Sequence, residues 1–188
     1  MVDNTEEKKM KAIERTGIDY YCQVSDVELI KKIVKSLPGV PACLNIGTGL
    51  GTSVMAMLEA RPDSLVASID IEPCDEAYQV IDDAGFVDEY RYFPYQGESQ
   101  KLGKKWKKPK FDFVFIDGGH KYEECYNDAI VWYKQLKPGG IMAFHDYESK
   151  IQVLESVKRA VDDVVKVLDL EFVERDGTMI VFRKANNE

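Results

Sequence analysis

The sequence predicts an α/β fold with a doubly wound, mainly parallel sheet. Three observations carry this. Short apolar runs alternate with segments of helical periodicity, five times over. The run Phe111-Asp-Phe-Val-Phe-Ile116 is almost continuously apolar, as a strand buried on both faces is. The chain closes on two strand-like segments around Asp176-Gly177, a hairpin signal that makes one late strand antiparallel. A length of 188 residues fits one domain, since domains average about 150 residues. It also suffices for a sizeable core without disulfide or metal staples.

The elements follow in order. Residues 1–20 are polar. From Asp26 to Leu37 the apolar positions Val27, Ile30, Ile33, Val34 and Leu37 have helical spacing, and Pro38-Gly39 stops the helix. Ala42 to Ile46 reads as a short buried strand, followed by the turn Gly47-Thr-Gly-Leu-Gly51 and a helix through Val54, Met57 and Leu58. Leu65 to Ile71 is the second strand. The third helix buries Ala77, Val80, Ile81 and Ala84, with Gly85 as its cap. The third strand, Glu89 to Gln96, contains Pro94 and so belongs at a sheet edge. After the lysine-rich run Lys101 to Lys110 comes the fourth strand, Phe111 to Ile116. A helix over Tyr122 to Leu136 is closed by Lys137-Pro-Gly-Gly140, and Gly140 to Phe144 is the fifth strand. A helix over Ile151 to Val164 precedes the strands Val165 to Val173 and Thr178 to Arg183. Residues 1–39 form an N-terminal helical segment, a candidate lid, and residues 40–188 the main domain.

Composition excludes several classes. A net charge of −8 argues against a general nucleic-acid or anionic-membrane binder. Six lysines surround Trp106 between Lys101 and Lys110. An anionic or RNA patch is one reading, and a solvated helix face with Trp106 packed inward is the one favoured by the acidic balance. No apolar stretch approaches the about 18 residues of a membrane span. Met1 to Glu14 lacks a signal core. The cysteines Cys22, Cys43, Cys74 and Cys125 form no Cys-x-x-Cys pair. The expectation is a cytoplasmic protein with reduced thiols.

The chemistry gathers at strand ends. Gly47 to Thr52 lets a ligand approach the backbone and offers free helix N–H groups, so Gly47, Thr48, Gly49, Gly51 and Thr52 are candidate cofactor contacts. Asp70 ends the second strand, where a carboxylate can accept both ribose hydroxyls. The spacing is Gly-x-Gly-x-Gly, not that of dinucleotide sites. The bland alternative is tight strand–helix packing. Glu98 and Ser99 follow the third strand and would flank the base of the same nucleoside. The fourth strand ends in Asp117-Gly-Gly-His120 and the fifth in His145-Asp146, which together contain both histidines of the chain. Asp117, His145 and Asp146 could hold Mg²⁺, and His120 could act as general base, because its ordinary pKa is near 6.5. The alternative is helix capping by the aspartates and mere packing by the histidines.

The segments Asn45–Ser53, Ser68–Pro73, Phe111–Tyr122 and Leu136–Tyr147 resemble class I S-adenosylmethionine-dependent methyltransferases. The likeness is to the small-molecule O-methyltransferase branch that includes cephalosporin-hydroxylase-like and macrolide-sugar enzymes. Catechol O-methyltransferase is more distant. It covers roughly residues 40 to 183. The resemblance implies a Rossmann-like seven-stranded sheet with the last strand antiparallel. It implies that Gly47, Gly49 and Asp70 contact S-adenosylmethionine, with Glu98 and Ser99 near adenine. It also implies a metal at Asp117, His145 and Asp146 and a general base at His120. Several relatives carry two acidic or amide groups at the position of His145-Asp146. The histidine here leaves room for Mn²⁺ or Zn²⁺, or for no metal. Asp117-Gly-Gly-His120 stands where base N-methyltransferases carry Asn/Asp-Pro-Pro-Tyr, which favours an oxygen acceptor.

The expected activity is therefore methyl transfer to a hydroxyl of a small molecule. The acceptor site is compact, and a second copy of the chain could complete it as a homo-oligomer. Tyr20 and Tyr21 are candidates to close over it. Two other readings stay open: a catalytically silent nucleoside-binding protein, and an NAD-dependent oxidoreductase, which the glycine spacing disfavours.

Overall fold

The computed structural model describes residues 23–87, 90–108, 110–147 and 155–186. The N-terminal residues up to Cys22, including Tyr20 and Tyr21, lie outside the described residues, as does the expected start of the last helix at residues 151–154. Among the described residues six helices and seven strands run in the order α1 (Val24–Ser36), β1 (Ala42–Ile46), α2 (Thr52–Ala60), β2 (Leu65–Asp70), α3 (Asp75–Asp83), β3 (Tyr92–Gln96), α4 (Ser99–Lys105), β4 (Phe111–Ile116), α5 (Tyr122–Tyr133), β5 (Leu136–Phe144), α6 (Glu155–Val167), β6 (Leu170–Asp176) and β7 (Met179–Lys184).

The sheet order is β3-β2-β1-β4-β5-β7-β6. The first five strands are parallel, and β7 runs antiparallel to both β5 and β6. The expected seven-stranded fold is thus present. After β3 the chain returns to the other side of β1, so the strand order reverses between β1 and β4. Such switch points leave a crevice outside the strand carboxyl ends.

Alternation along the strands feeds two apolar layers. Cys43, Phe113 and Phe115 face the layer of α1, α2 and α3. Leu44, Val114 and Ile116 face the layer of α5 and α6. Helix α1 commits Val27, Ile30, Ile33 and Val34 to the first layer and is therefore part of the core. A capping box starts it, with the Gln23 backbone N–H donating to Asp26 Oδ2 at 2.8 Å. Pro94 lies on β3, an edge strand, as its missing N–H requires. Trp106 packs inward against Tyr95, Phe111 and Trp132, while the lysines of α4 line its outer surface.

Several boundaries differ from the sequence reading. Helix α5 stops at Tyr133, and β5 begins at Leu136, not Gly140. Lys137-Pro-Gly-Gly140 lies inside that strand, where the β4–β5 register shifts between Phe111 and Phe113. Leu136 is fully buried opposite Phe111, and that burial overrides the local turn signal. Val165 to Val167 belong to α6, because Val157, Val161 and Val164 continue a helical stripe into the core. Strand β3 begins at Tyr92, not Glu89. No helix among the described residues is long and apolar enough to cross a membrane.

Gly47 is set by a close approach. Its φ is +87°, and a Cβ there would lie 2.0 Å from the Asp117 carbonyl oxygen. Gly85 shares that φ with nothing within 4 Å. Gly47→Ala should therefore cost strain of about 1–2 kcal/mol plus about 1–3 kcal/mol of overpacking, and Gly85→Ala the strain alone. Urea denaturation of the two variants checks the ordering; equal losses would show that the contact with Asp117 relaxes freely.

Candidate active site

A cleft of about 1070 Å³ opens across the carboxyl ends of β1 to β5. Gly47 to Leu50, Thr52, Asp70, Glu98, Ser99, Asp117, His120, His145 and Asp146 all line it. The fold therefore brings nearly every residue singled out in the sequence to one cavity. Gly51 is the exception: it is buried at the N-terminus of α2, and a Cβ there would press on Ala77 at 3.2 Å. Its place is helix packing. Gly49 has φ +51° and nothing within 4 Å of a Cβ, so the turn is open on its ligand side.

Asp70 organises that turn. Its Oδ2 accepts the backbone N–H of Thr48 at 2.7 Å and of Gly49 at 3.2 Å, and its Oδ1 accepts from Glu72 N–H at 3.1 Å. The carboxylate thus holds the glycine turn as well as facing the cleft. Glu98 stands exposed at the rim and pairs with Lys101. Ser99 lies deeper, and its Oγ accepts the Trp132 indole N–H at 2.7 Å.

The β4–β5 register places Ile116 opposite Phe144, so Asp117 emerges beside His145. His145 is buried, with Nδ1 3.2 Å from Asp117 Oδ1 and 3.3 Å from Asp146 Oδ2. Its Nε2 lies 3.3 Å from Asp26 Oδ2 and 3.3 Å from Thr178 Oγ1. Burial alone would push this ring's pKa down. The carboxylates of Asp117, Asp146 and Asp26 around the ring outweigh burial and hold it far above the usual histidine range. Burial raises the Asp117 carboxyl, with His145 opposing. Burial also works against the charge on Asp146, but the two imidazoles more than offset it and hold that carboxyl well below its ordinary value. Asp146 itself has φ +58°, a strained conformation for a residue with a side chain.

His120 is half exposed, with Nε2 3.0 Å from Asp146 Oδ2. That hydrogen bond raises its pKa above 6.5, and burial only partly opposes it. Asp117, His120 and Asp146 bring ligand atoms within 4.8 Å of one another. In the set expected from the sequence His145 stands in place of His120, with Nδ1 3.2 Å from Asp117 Oδ1 and 3.3 Å from Asp146 Oδ2, close to the about 3 Å between neighbouring ligands of a small divalent ion. Nδ1 is buried without a partner in hydrogen-bond geometry, while Nε2 faces the Asp26 carboxylate. A histidine held from behind by a carboxylate is a common metal-ligand arrangement.

Two site residues carried no signal in the sequence. Asp26 stands in the sequence only as the first residue of a helix, yet it is fully buried against His145. Asp128 reads as a polar position of α5, yet it is 3% exposed and lines the cleft. Only the folded arrangement reveals either one.

The comparisons with known proteins agree with this fold. The profile of the methyltransferase domain family matches residues 44–147, more than half of the chain, and the chain belongs to that family. An O-methyltransferase from Bacillus cereus, solved in complex with S-adenosylhomocysteine, superposes with a TM-score of 0.72 at 18% identity over 98% of this chain and 92% of that one. An O-methyltransferase of Streptomyces achromogenes involved in tomaymycin synthesis, solved with S-adenosylmethionine, gives 0.71 at 17% identity over 98% and 92%. A Podospora anserina methyltransferase bound to S-adenosylhomocysteine gives 0.75 at 13% identity over 100% and 89%. These establish a shared fold. A curated relative, an uncharacterized protein of Acanthamoeba polyphaga mimivirus, is 38% identical over 56 residues, 28% of this chain. The match spans about a quarter of that protein's length (25%).

Two predictions follow from the electrostatics. With only two histidines in the chain, ring titration by NMR is simple to assign. The His120 midpoint should lie above 6.5 and fall in Asp146→Asn; an unmoved midpoint removes Asp146 as its cause. Burial pushes the Asp128 carboxyl up to about 6. Between about pH 4 and that value, the folded chain binds this proton more tightly than the unfolded chain. The group's contribution to stability is therefore lost as pH rises through that window. Asp128→Asn should be more stable than the parent at pH 7.5, by on the order of 2 kcal/mol, with the gap closing near pH 4 in chemical denaturation.

Proposed function

We propose that the chain transfers a methyl group from S-adenosylmethionine to a hydroxyl of a small molecule. The observation that carries this is a single cleft holding the Asp70-braced glycine turn at one end and the His120–Asp146 pair at the other. Membership of the methyltransferase family supports it. The donor lies along the ends of β1 to β3, with its ribose toward Asp70 and its base toward Glu98 and Ser99. The acceptor hydroxyl lies over Asp117, His120 and Asp146.

The chain's own residues have three tasks. The glycine turn and Asp70 orient the donor, and such positioning is worth about 7–11 kcal/mol in well-oriented systems. Asp146 holds the Nε2–H of His120, which leaves Nδ1 free to take the hydroxyl proton. Asp26 and Thr178 fix the ring of His145 from behind. Where a divalent cation is present, Asp117, His145 and Asp146 would hold it, and it would lower the pKa of the acceptor hydroxyl.

A thermal-shift screen with S-adenosylmethionine, S-adenosylhomocysteine and NAD, each with Mg²⁺ or chelator, tests donor and metal together. Stabilisation by the first two ligands and not by NAD is expected; stabilisation by NAD alone would favour an oxidoreductase. His120→Ala should lower methyl transfer about 10²–10⁴-fold while donor binding survives, and Asp70→Ala should weaken donor binding. Normal turnover by His120→Ala would remove that residue as the base.

A further inference from the structure

We propose that Asp128 recognises the amino edge of the donor's base and makes the site selective for adenosine over its deaminated counterpart. The inference rests on the cleft being the S-adenosylmethionine site. Three features single out this carboxylate. It lies on α5 in the wall of the cleft, 3% exposed, near the base end marked by Glu98, Ser99 and Gln100. Its Oδ1 is buried and has no hydrogen-bond partner among the described residues. Its setting also directs it: Ser99 and Gln100 stand beside it, and Ser99 Oγ accepts the Trp132 N–H at 2.7 Å, which leaves the Ser99 hydroxyl proton to turn toward the carboxylate. Gly118 completes the setting. A Cβ there would lie 3.7 Å from Asp128 Oδ2, so a side chain at this position would stand against the carboxylate.

A buried acceptor left without a donor loses its water and gains no partner in return, which destabilises the fold. The burial that pushes this carboxyl up to about 6 reflects the same cost. Helix α5 does not need the group, since its packing face is Cys125, Ala129 and Trp132. A polar group kept at a loss inside a ligand cleft suits a ligand donor. Adenine offers one, an exocyclic amino group beside a ring nitrogen acceptor. Hypoxanthine presents a carbonyl at the same place, whose lone pairs would face the carboxylate. Sites that hydrogen-bond a substrate N–H reject analogues lacking it far more strongly than apolar pockets reject a missing methylene.

Isothermal titration of the full chain with S-adenosylhomocysteine and S-inosylhomocysteine tests this. The parent protein should bind the adenosyl form about 100-fold more tightly. Asp128→Asn, whose amide both donates and accepts, should bind the inosyl form more tightly than the parent does, and the preference should fall below about tenfold. A purely structural role for Asp128 would weaken both ligands together and leave their ratio unchanged, and that result overturns the proposal. Equal binding of the two ligands by the parent also overturns it, without recourse to any variant. Failure of the parent to bind S-adenosylhomocysteine at all would instead overturn the donor-site reading on which the inference stands.

Discussion

Gly47 lets the ends of β1 and β4 come into backbone contact, and the rest of the site is built outward from that approach. The Asp117 N–H donates to Ile46 O at 2.9 Å, and the Gly47 N–H donates to Ile69 O at 2.9 Å. Three adjacent strands are thereby locked at their carboxyl ends. A side chain at Gly47 would occupy the position of the Asp117 carbonyl. With the contact made, the glycine turn presents its amides to Asp70, and Asp117 projects beside the end of β5. The glycine turn with Asp70 and the groups at the ends of β4 and β5 thus share one frame.

Charge is the second theme. Asp26, Asp117 and Asp146 converge on the ring of His145, while Asp146 also holds His120. The two imidazoles keep the Asp146 carboxyl ionised against the burial that opposes its charge. The pairing also ties α1 to the site, since Asp26 both caps that helix and faces the His145 ring. The first helix is therefore a structural support of the cleft, packed into the same apolar layer as α2.

Much of this was legible in the residues alone. The strand ends Gly47–Thr52, Asp70, Asp117–His120 and His145–Asp146 could be placed because parallel α/β sheets put such ends on one face. Strand β4 was plain because a run buried on both faces has to be apolar throughout. The misread boundaries had a common cause. Lys137-Pro-Gly-Gly140 and the valines around 165 carry local signals of turn and strand, and burial of Leu136 and Val164 overrode them. Local propensity is weak beside tertiary packing.

The sequence by itself determined the fold class and the identity of the groups at the strand ends, because hydrophobic periodicity and glycine placement are local properties of the chain. Tertiary structure alone decided which groups meet. Asp26 reaches His145 across 119 residues. Asp128 becomes a buried, half-satisfied carboxylate only when α5 packs beside Ser99 and Gly118. An aspartate on a helix reads as a solvated residue until its neighbours remove the water, and desolvation is a property of the packed chain that no local spacing encodes.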